Sequence, residues 1–338
     1  MRFLRRLFLV LLVLGLAAGA VGFWCRQRLT TPYRAFVEDE VFVEFPPGTS
    51  VAAIADRLVA AGVIPDRWTF RIGARLTGAD RRLQAGEYRF AGATSPNDVI
   101  TRLAAGDVYK HPVTFPEGLT IAEMGEIFAH SGLGTAKDFV RAASDTSLIA
   151  SYDADARSLE GYLFPATYSL PRRAGADAAV RAMVTGFDHA FDSELRAATS
   201  AEGLTARQML TLASIIEKET ARADERPLVA AVLRNRLRIG MPLQCDPTVI
   251  YALMRAGHWD GNLRKVDLEM NSPYNTYRVR GLPPGPIASP GRASMDAAVH
   301  PADVTYLYFV SRNDGSHVFA STLSEHNRNV QLYQGKRR

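Results

Sequence analysis

Only two cysteines, Cys25 and Cys245, occur in 338 residues. Two thiols cannot build a disulfide framework or a cysteine-rich metal site. Cys25 adjoins a hydrophobic segment, so a Cys25–Cys245 bridge is not expected. The chain contains neither GxGxxG nor GxxxxGK[ST], so no phosphate-cradling loop is visible. HExxH and GxSxG are also missing, which removes the zinc-protease helix and the nucleophile elbow. The seven histidines are scattered. His300, His317 and His326 share the C-terminal part without ligand spacing, so no metal site is expected. No long basic run is interleaved with aromatics, and nucleic acid is therefore excluded as a partner. The net charge of +5 fits solubility, or attraction to an anionic polymer or membrane surface. With 47% hydrophobic and 22% charged residues, the chain is neither disordered nor fibrous.

One long hydrophobic run is present. Arg2, Arg5 and Arg6 precede an uncharged stretch from Leu7 to Cys25. At ~1.5 Å per residue, such a helix nearly spans the ~30 Å hydrocarbon core of a bilayer. Trp24 falls at the far end, where interfacial aromatics are favoured. The leading arginines predict a cytoplasmic N-terminus, although Arg26 and Arg28 soften the asymmetry. A cleaved signal peptide is the alternative, since "AGA" at 18–20 resembles a cleavage site. The apolar stretch is long for a signal h-region, which favours an uncleaved anchor. Trp24 is too bulky to precede a lipidated cysteine, and both alternatives export the body of the protein.

An internal repeat recurs at an offset of seventy residues. "VEFPPGTSVAAIADRLVAAGVI" begins at Val43 and "VTFPEGLTIAEMGEIFAHSGLG" at Val113. Each copy predicts a short strand, a Pro–Gly turn and a helix ending near Gly62 or Gly132. Thr120 and Glu123 have capping-box spacing, as do Thr205 with Gln208 and Thr322 with Glu325. "AGEYRF" and "DVYKHPVTF" read as strands around a helix starting near Ser95. These short βα units resemble the LysM module, which binds peptidoglycan glycan chains. The expected class is α+β, in three parts. Residues 1–30 form the transmembrane helix and its flank, 31–150 a small LysM-like region, and 151–338 a mixed α+β domain. In the last part, helices are expected over about 177–199, from Thr205 through "ASIIEKET", and over about 226–237. Residues 241–253 and 271–294 read as the least regular segments. "TYLYFVS" and "HVFAST" read as a strand pair joined by an Asn-Asp-Gly-Ser turn.

With the common motifs absent, carboxylates are the remaining chemistry. Glu217 and Glu219 flank Lys218 at the end of an apolar run. At ~100° per residue they fall on the two flanks of the apolar stripe, about 80° from its centre. Either could be partly desolvated, which raises a carboxyl pKa and suits a general acid. Periodicity does not choose between them. Three further stretches bring amides, hydroxyls and aromatic rings. "LQCDPT" supplies Gln244 and Asp246; "SPYNTYRVRGLPPGP" supplies Tyr274, Asn275, Thr276 and Tyr277; "LEGYLFPATY" supplies Glu160, Tyr162, Phe164 and Tyr168. That mixture suits a carbohydrate cleft, because sugars present hydrogen-bonding edges and apolar C–H faces.

"LEGYLFPATY", "LASIIEKET", "NRLRIGMPLQCDPTVIYAL", "YNTYRVRGLPPGPIASPG", "HPADVTYLYFV" and "HVFASTLSEHN" occur in this order. On these motifs the chain resembles the MltG (YceG-like) family of endolytic murein transglycosylases. The resemblance implies an inner-membrane protein with one N-terminal anchor and a periplasmic body that cuts peptidoglycan strands internally. It places the catalytic acid/base on Glu217, the first Glu of "EKE". Cleft candidates that match the family motifs are Gln244, Asp246, Tyr274, Asn275, Thr276 and Tyr277, and Glu160 and Tyr168 of "LEGYLFPATY" join them as substrate-binding candidates. Cys245 stands where many members have Thr or Ser, and Ala166 where many have an acid. The implied mechanism uses one glutamate to protonate the oxygen between MurNAc and GlcNAc. The MurNAc 6-hydroxyl then attacks its own C1 to give a 1,6-anhydro end, and no metal or organic cofactor is needed. Association with peptidoglycan synthases follows from the resemblance alone. The alternative is a non-catalytic, membrane-anchored peptidoglycan-binding scaffold.

Overall fold

The computed structural model describes residues 2–335 and divides into two compact units. The first comprises Met1–His111 with Leu170–Arg173, the second Pro112–Ser169 with Ala174–Arg338. The sequence-based division near residue 150 differs from this one: residues 112–150, with the second copy of the repeat, pack in the second unit.

The first unit opens with the predicted apolar helix, α1 (Arg2–Thr30), which has a mean hydropathy of 2.5 over its best window. The side chain of Arg2, one of the flanking arginines, lies outside the described residues. Strand β1 (Val41–Phe45) follows, then α2 (Val51–Ala60) and α3 (Arg67–Leu76). Strand β2 (Gly86–Phe90) and α4 (Pro96–Ala105) complete the sequence. β1 and β2 pair antiparallel, with Val43 opposite Tyr88 and Phe45 opposite Gly86. Strand alternation buries Val43 and Phe45 on one face. They meet Ile54 and Leu58 of α2, Phe70 of α3, and Val99, Ile100 and Leu103 of α4 in one apolar core. Ser50, Asp66 and Ser95 cap the three helices through side-chain oxygens. Helix α3 was not foreseen, because its apolar positions are few and Gly73 interrupts them. That glycine allows close approach: a Cβ there would overlap Leu29 at the end of α1.

Strand β3 (Lys110–Thr114) carries the chain into the second unit and pairs with β4 (Thr167–Pro171). Between them lie α5 (Ile121–His130) and α6 (Ala136–Ala142). The repeat is visible in backbone angles. Gly48 and Gly118 turn with φ of 79° and 78°, and Gly62 and Gly132 with 68° and 73°. These are left-handed conformations that glycine adopts without Cβ strain.

The expected helix over 177–199 is two helices, α7 (Gly175–Ala190) and α8 (Ser193–Ala201). Asp192 is extended and caps α8, so the chain turns there. Next come α9 (Ala206–Glu219) and α10 (Arg226–Arg238). The segment read as irregular contains α11 (Asp246–Ala256), which starts at an Asp–Pro pair and ends at left-handed Gly257. A short helix, α12 (Arg292–Val299), precedes the antiparallel pair β5 (Tyr308–Ser311) and β6 (His317–Ala320). Helix α13 (Leu323–Tyr333) closes the unit. All three predicted capping boxes form.

Helix α9 is the axis of this unit. Every residue from Met209 to Ile216 is buried, the polar Thr211 and Ser214 included. α8, α10, α11 and α12 all pack against it. Its last turn carries Glu217 and Glu219 out of this buried stretch into polar surroundings.

Candidate active site

Glu219 stands at the C-terminal end of α9 on the wall of a cavity of about 430 Å³. Gln244, Asp246, Tyr277 and His317 line the same cavity. The loop before α11 and the loop around Tyr277 are sewn together at this point. The Gln244 N–H donates to the Thr276 carbonyl at 3.1 Å, and the Cys245 N–H to Thr276 Oγ1 at 2.9 Å. Tyr277 donates its hydroxyl to Asp246 Oδ1 at 2.6 Å. Gln244 holds a φ of 52°, rare for a residue with a Cβ, and such conformations gather at functional sites. Burial raises the Glu219 pKa to about 7, against a lowering contact from the Cys245 thiol, with nearby Asp246 adding to the rise. A carboxyl at that value is divided between acid and base near neutral pH.

Glu217 lies on the other flank of the helix, in a different environment. Arg226 Nη2 donates to its Oε1 at 3.3 Å, and the Gly291 N–H to its Oε2 at 3.1 Å. Its side chain is 7% exposed. Glu117 lies 4.0 Å from the same guanidinium. Burial raises the Glu117 pKa, with the Glu217 charge adding and Arg226 opposing. Around them, Lys218 Nζ donates to the Gly118 carbonyl, and the Gly118 and Ser289 N–H groups donate to Ser289 and Leu119 carbonyls. A Cβ on Gly291 would overlap the Glu117 carboxylate. The Glu217 cluster thus joins the turn at 117–119, the Pro–Gly loop at 289–291 and the start of α10.

The other candidates divide between roles. Asn275 and Thr276 are completely buried. Asn275 Nδ2 donates to the Leu268 and Met270 carbonyls, and Thr276 Oγ1 bonds Thr248 Oγ1 at 2.9 Å. Both shape the loop from within. Tyr274 and Glu160 line a second, larger cavity of about 850 Å³. Glu160 accepts from the Ile121 N–H and the Tyr251 hydroxyl, each at 3.1 Å, and burial raises its pKa to about 7. Tyr168 stands apart, its hydroxyl donating to the Phe164 carbonyl at 2.7 Å over Gly186.

The pairing of Glu225 with His317 escaped sequence reasoning, which met His317 only as one of the scattered histidines. Glu225 is buried at the start of α10 and accepts from the backbone N–H of His317 at 2.9 Å. Its other oxygen lies 2.6 Å from His317 Nδ1. Burial pushes the Glu225 pKa up, but the His317 bonds outweigh it and hold the value below the usual carboxylate range. Ninety-two residues separate the partners, so no local spacing could have announced the pair. Among the described residues no cluster of His, Cys, Asp or Glu suits a metal ion.

Comparison with known proteins decides the family. Residues 43–332 match the model of the YceG-like family. The chain belongs to the YceG-like family. It is 33% identical over 327 residues to an endolytic murein transglycosylase of Bacillus subtilis, covering 91% of this chain and 88% of that one. A Streptococcus pneumoniae protein of the same name is 31% identical over 352 residues, covering 96% of this chain. The chain spans 64% of that longer protein. The crystal structure of a YceG-like protein from Listeria monocytogenes superposes with a TM-score of 0.59 at 31% identity. That match covers 86% of this chain and 98% of the other.

Proposed function

We propose that this YceG-like protein is an endolytic murein transglycosylase, cutting the β-1,4 bond between MurNAc and GlcNAc within glycan strands. The observation that carries the proposal is a carboxyl with a pKa near 7 on the wall of a cavity lined by amide, phenol and carboxylate groups. The family resemblance implies Glu217 as the acid/base; the geometry favours Glu219, and we assign the role there. Both Glu217 oxygens are taken by donors of the protein itself. Among the described residues, no guanidinium or backbone N–H bonds the Glu219 carboxyl.

In the proposed mechanism, protonated Glu219 donates to the glycosidic oxygen as the C1–O bond breaks. Its carboxylate then takes the proton from the MurNAc 6-hydroxyl as that oxygen closes on C1. The product is a 1,6-anhydro end, with neither water nor an enzyme nucleophile consumed, unlike the two-carboxylate glycosidases. Asp246, held by the Tyr277 hydroxyl, would face the positive charge that develops at C1.

The remaining parts of the reading are proposals of the same standing. Helix α1 would anchor the chain in the cytoplasmic membrane, N-terminus inside, with the body in the periplasm. Residues 31–150 would act as a LysM-like glycan-holding region before a catalytic region at 151–338. The half-exposed Phe42, edge-to-face with Tyr109 at 5.0 Å, supports glycan contact in the first unit. Peptidoglycan synthases are proposed partners on family grounds.

Product analysis after digestion of purified peptidoglycan tests the assignment. Glu219→Gln should abolish anhydro-MurNAc ends while keeping the wild-type melting curve, and Glu217→Gln should retain turnover. A dead, folded Glu217→Gln beside an active Glu219→Gln would return the role to Glu217. Reducing MurNAc ends would indicate a hydrolytic muramidase, and binding without any product a scaffold.

A further inference from the structure

The 850 Å³ cavity is larger than the one at Glu219 and has no part in the chemistry above. Both cavities adjoin α11. Asp246, its first residue, lines the Glu219 cavity, and Arg255, its last but one, lines the larger one. Nine residues at ~1.5 Å rise separate them by about 14 Å. The loop around Asn275 joins the same two places, with Tyr274 on the larger cavity and Tyr277 on the smaller.

The charges in the larger cavity are unevenly committed. Asp153 is occupied: Arg207 Nε donates to it at 2.7 Å and the Tyr162 hydroxyl at 2.8 Å. Glu160, at the floor, spends its two oxygens on Ile121 and Tyr251. Asp155 is an exposed acid at the rim. Arg157 and Arg255 are exposed and form no ion pair among the described residues. Arg255 is held over the Tyr274 ring at 5.2 Å and the Tyr251 ring at 5.9 Å and lines the cavity with a planar, always charged fork. Pro273, Pro284 and Pro286 give part of the wall a fixed backbone. Two exposed guanidiniums without an ion pair, Arg255 over aromatic rings and Arg157 beside it on the lining, in a cleft the size of a small-molecule site, suit a ligand that carries carboxylates.

Resting on the transglycosylase reading, we infer that this cavity receives the carboxylate-bearing stem peptide of the glycan repeat held at Glu219. The stem begins at the lactyl group of MurNAc, the sugar whose C1 reacts. At ~3.4 Å per extended residue, four peptide residues cover the same 14 Å. Arg255 is the anchoring residue and Arg157 the second cation. The enzyme therefore reads whether a strand still carries its peptides.

The test compares peptide-bearing glycan strands with strands stripped by an amidase, using the full-length protein in detergent. Wild type should show a higher kcat/KM on peptide-bearing strands. Arg255→Gln should lower the ratio of the two kcat/KM values by about tenfold, the effect of one charged hydrogen bond. Arg255→Lys keeps the charge without the fork and should fall between. Equal wild-type rates on both strands, or an unchanged ratio in Arg255→Gln, would overturn the inference. A second measurement stands free of turnover: calorimetric binding of a soluble muramyl pentapeptide to the folded Glu219→Gln protein. Binding that weakens with Arg255→Gln supports the pocket even if no strand is cut, an outcome that removes only the transglycosylase reading. Tighter binding of inorganic pyrophosphate than of the muramyl peptide would assign the cations to a phosphate source and overturn the peptide assignment.

Discussion

Two glutamates with pKa values near 7 give this molecule two separable pH signatures. Glu219 must be protonated to begin the proposed reaction, so kcat/KM should fall on the alkaline side with a midpoint near pH 7. A pH–rate profile checks this, and a flat profile from pH 6 to 9 would disconnect Glu219 from the acid step. Glu160 supplies the second signature, in stability. Its folded pKa of about 7 lies above the ordinary 4.5, so the native state holds the proton more tightly than the unfolded one. Its stabilising share is complete below about pH 4.5 and is lost as pH rises to about 7, beyond which the curve is flat. The loss is on the order of 3 kcal/mol. Glu160→Gln keeps an acceptor for the Ile121 N–H and has no charge to bury. Denaturant titrations at pH 5 and pH 8 should show the wild type losing more stability between the two than the variant. Glu219 leaves a residual slope of the same sign in both proteins. Identical slopes would show that the Glu160 environment is not desolvating.

At the scale of elements, capping signals were the most legible feature, because a cap is a local bond between residues three apart. Thr120, Thr205 and Thr322 all cap as read. The break at Asp192 was missed because a helical apolar pattern continues through it, and only the turn reveals two axes. Helix α11 was missed because prolines and a cysteine around Asp246 resemble loop chemistry. Sequence placed Glu217 and Glu219 in the last turn of α9, where they stand, but periodicity did not separate them and the resemblance alone pointed to Glu217. Helix periodicity sets both at a flank; the difference lies in what the other elements bring. Arg226 and Gly291 come to Glu217, while the segments around Asp246 and Tyr277 come to Glu219. A wheel also treats Ser214 as incidental, yet it is fully buried and holds the Pro–Gly loop. Its Oγ donates to the Thr211 carbonyl at 2.8 Å and accepts from the Ile287 N–H at 3.0 Å. Ser214→Ala leaves that buried N–H without a partner, at a cost of about 1–3 kcal/mol. Urea denaturation should show a lower midpoint with an unchanged slope; an unshifted midpoint would mean that the loop finds another acceptor.

At the scale of the whole molecule, the one described helix with membrane-spanning length and composition is α1. From Leu7 to Leu14 its side chains are exposed, and so are Phe23 and Trp24, an arrangement stable only where something apolar covers them. Its last turn behaves differently. Leu29 packs on the first unit's core and against Gly73, and Arg28 reaches Asp66 at 3.4 Å. The helix therefore has an exposed apolar shaft and a docked end, as expected if the chain leaves the bilayer just before Leu29. A chain that begins at Leu29 should keep the core contacts of the first unit while losing every exposed residue of the shaft. It should then remain in the supernatant after alkaline carbonate extraction of the host membranes, with the full chain in the pellet. With the proposed orientation, in which the arginines ahead of the shaft hold the N-terminus inside, protease added to spheroplasts should digest the body of the full chain. Recovery of the truncated chain in the membrane pellet would mean that some other surface binds the membrane, and survival of the body under protease would reverse the orientation.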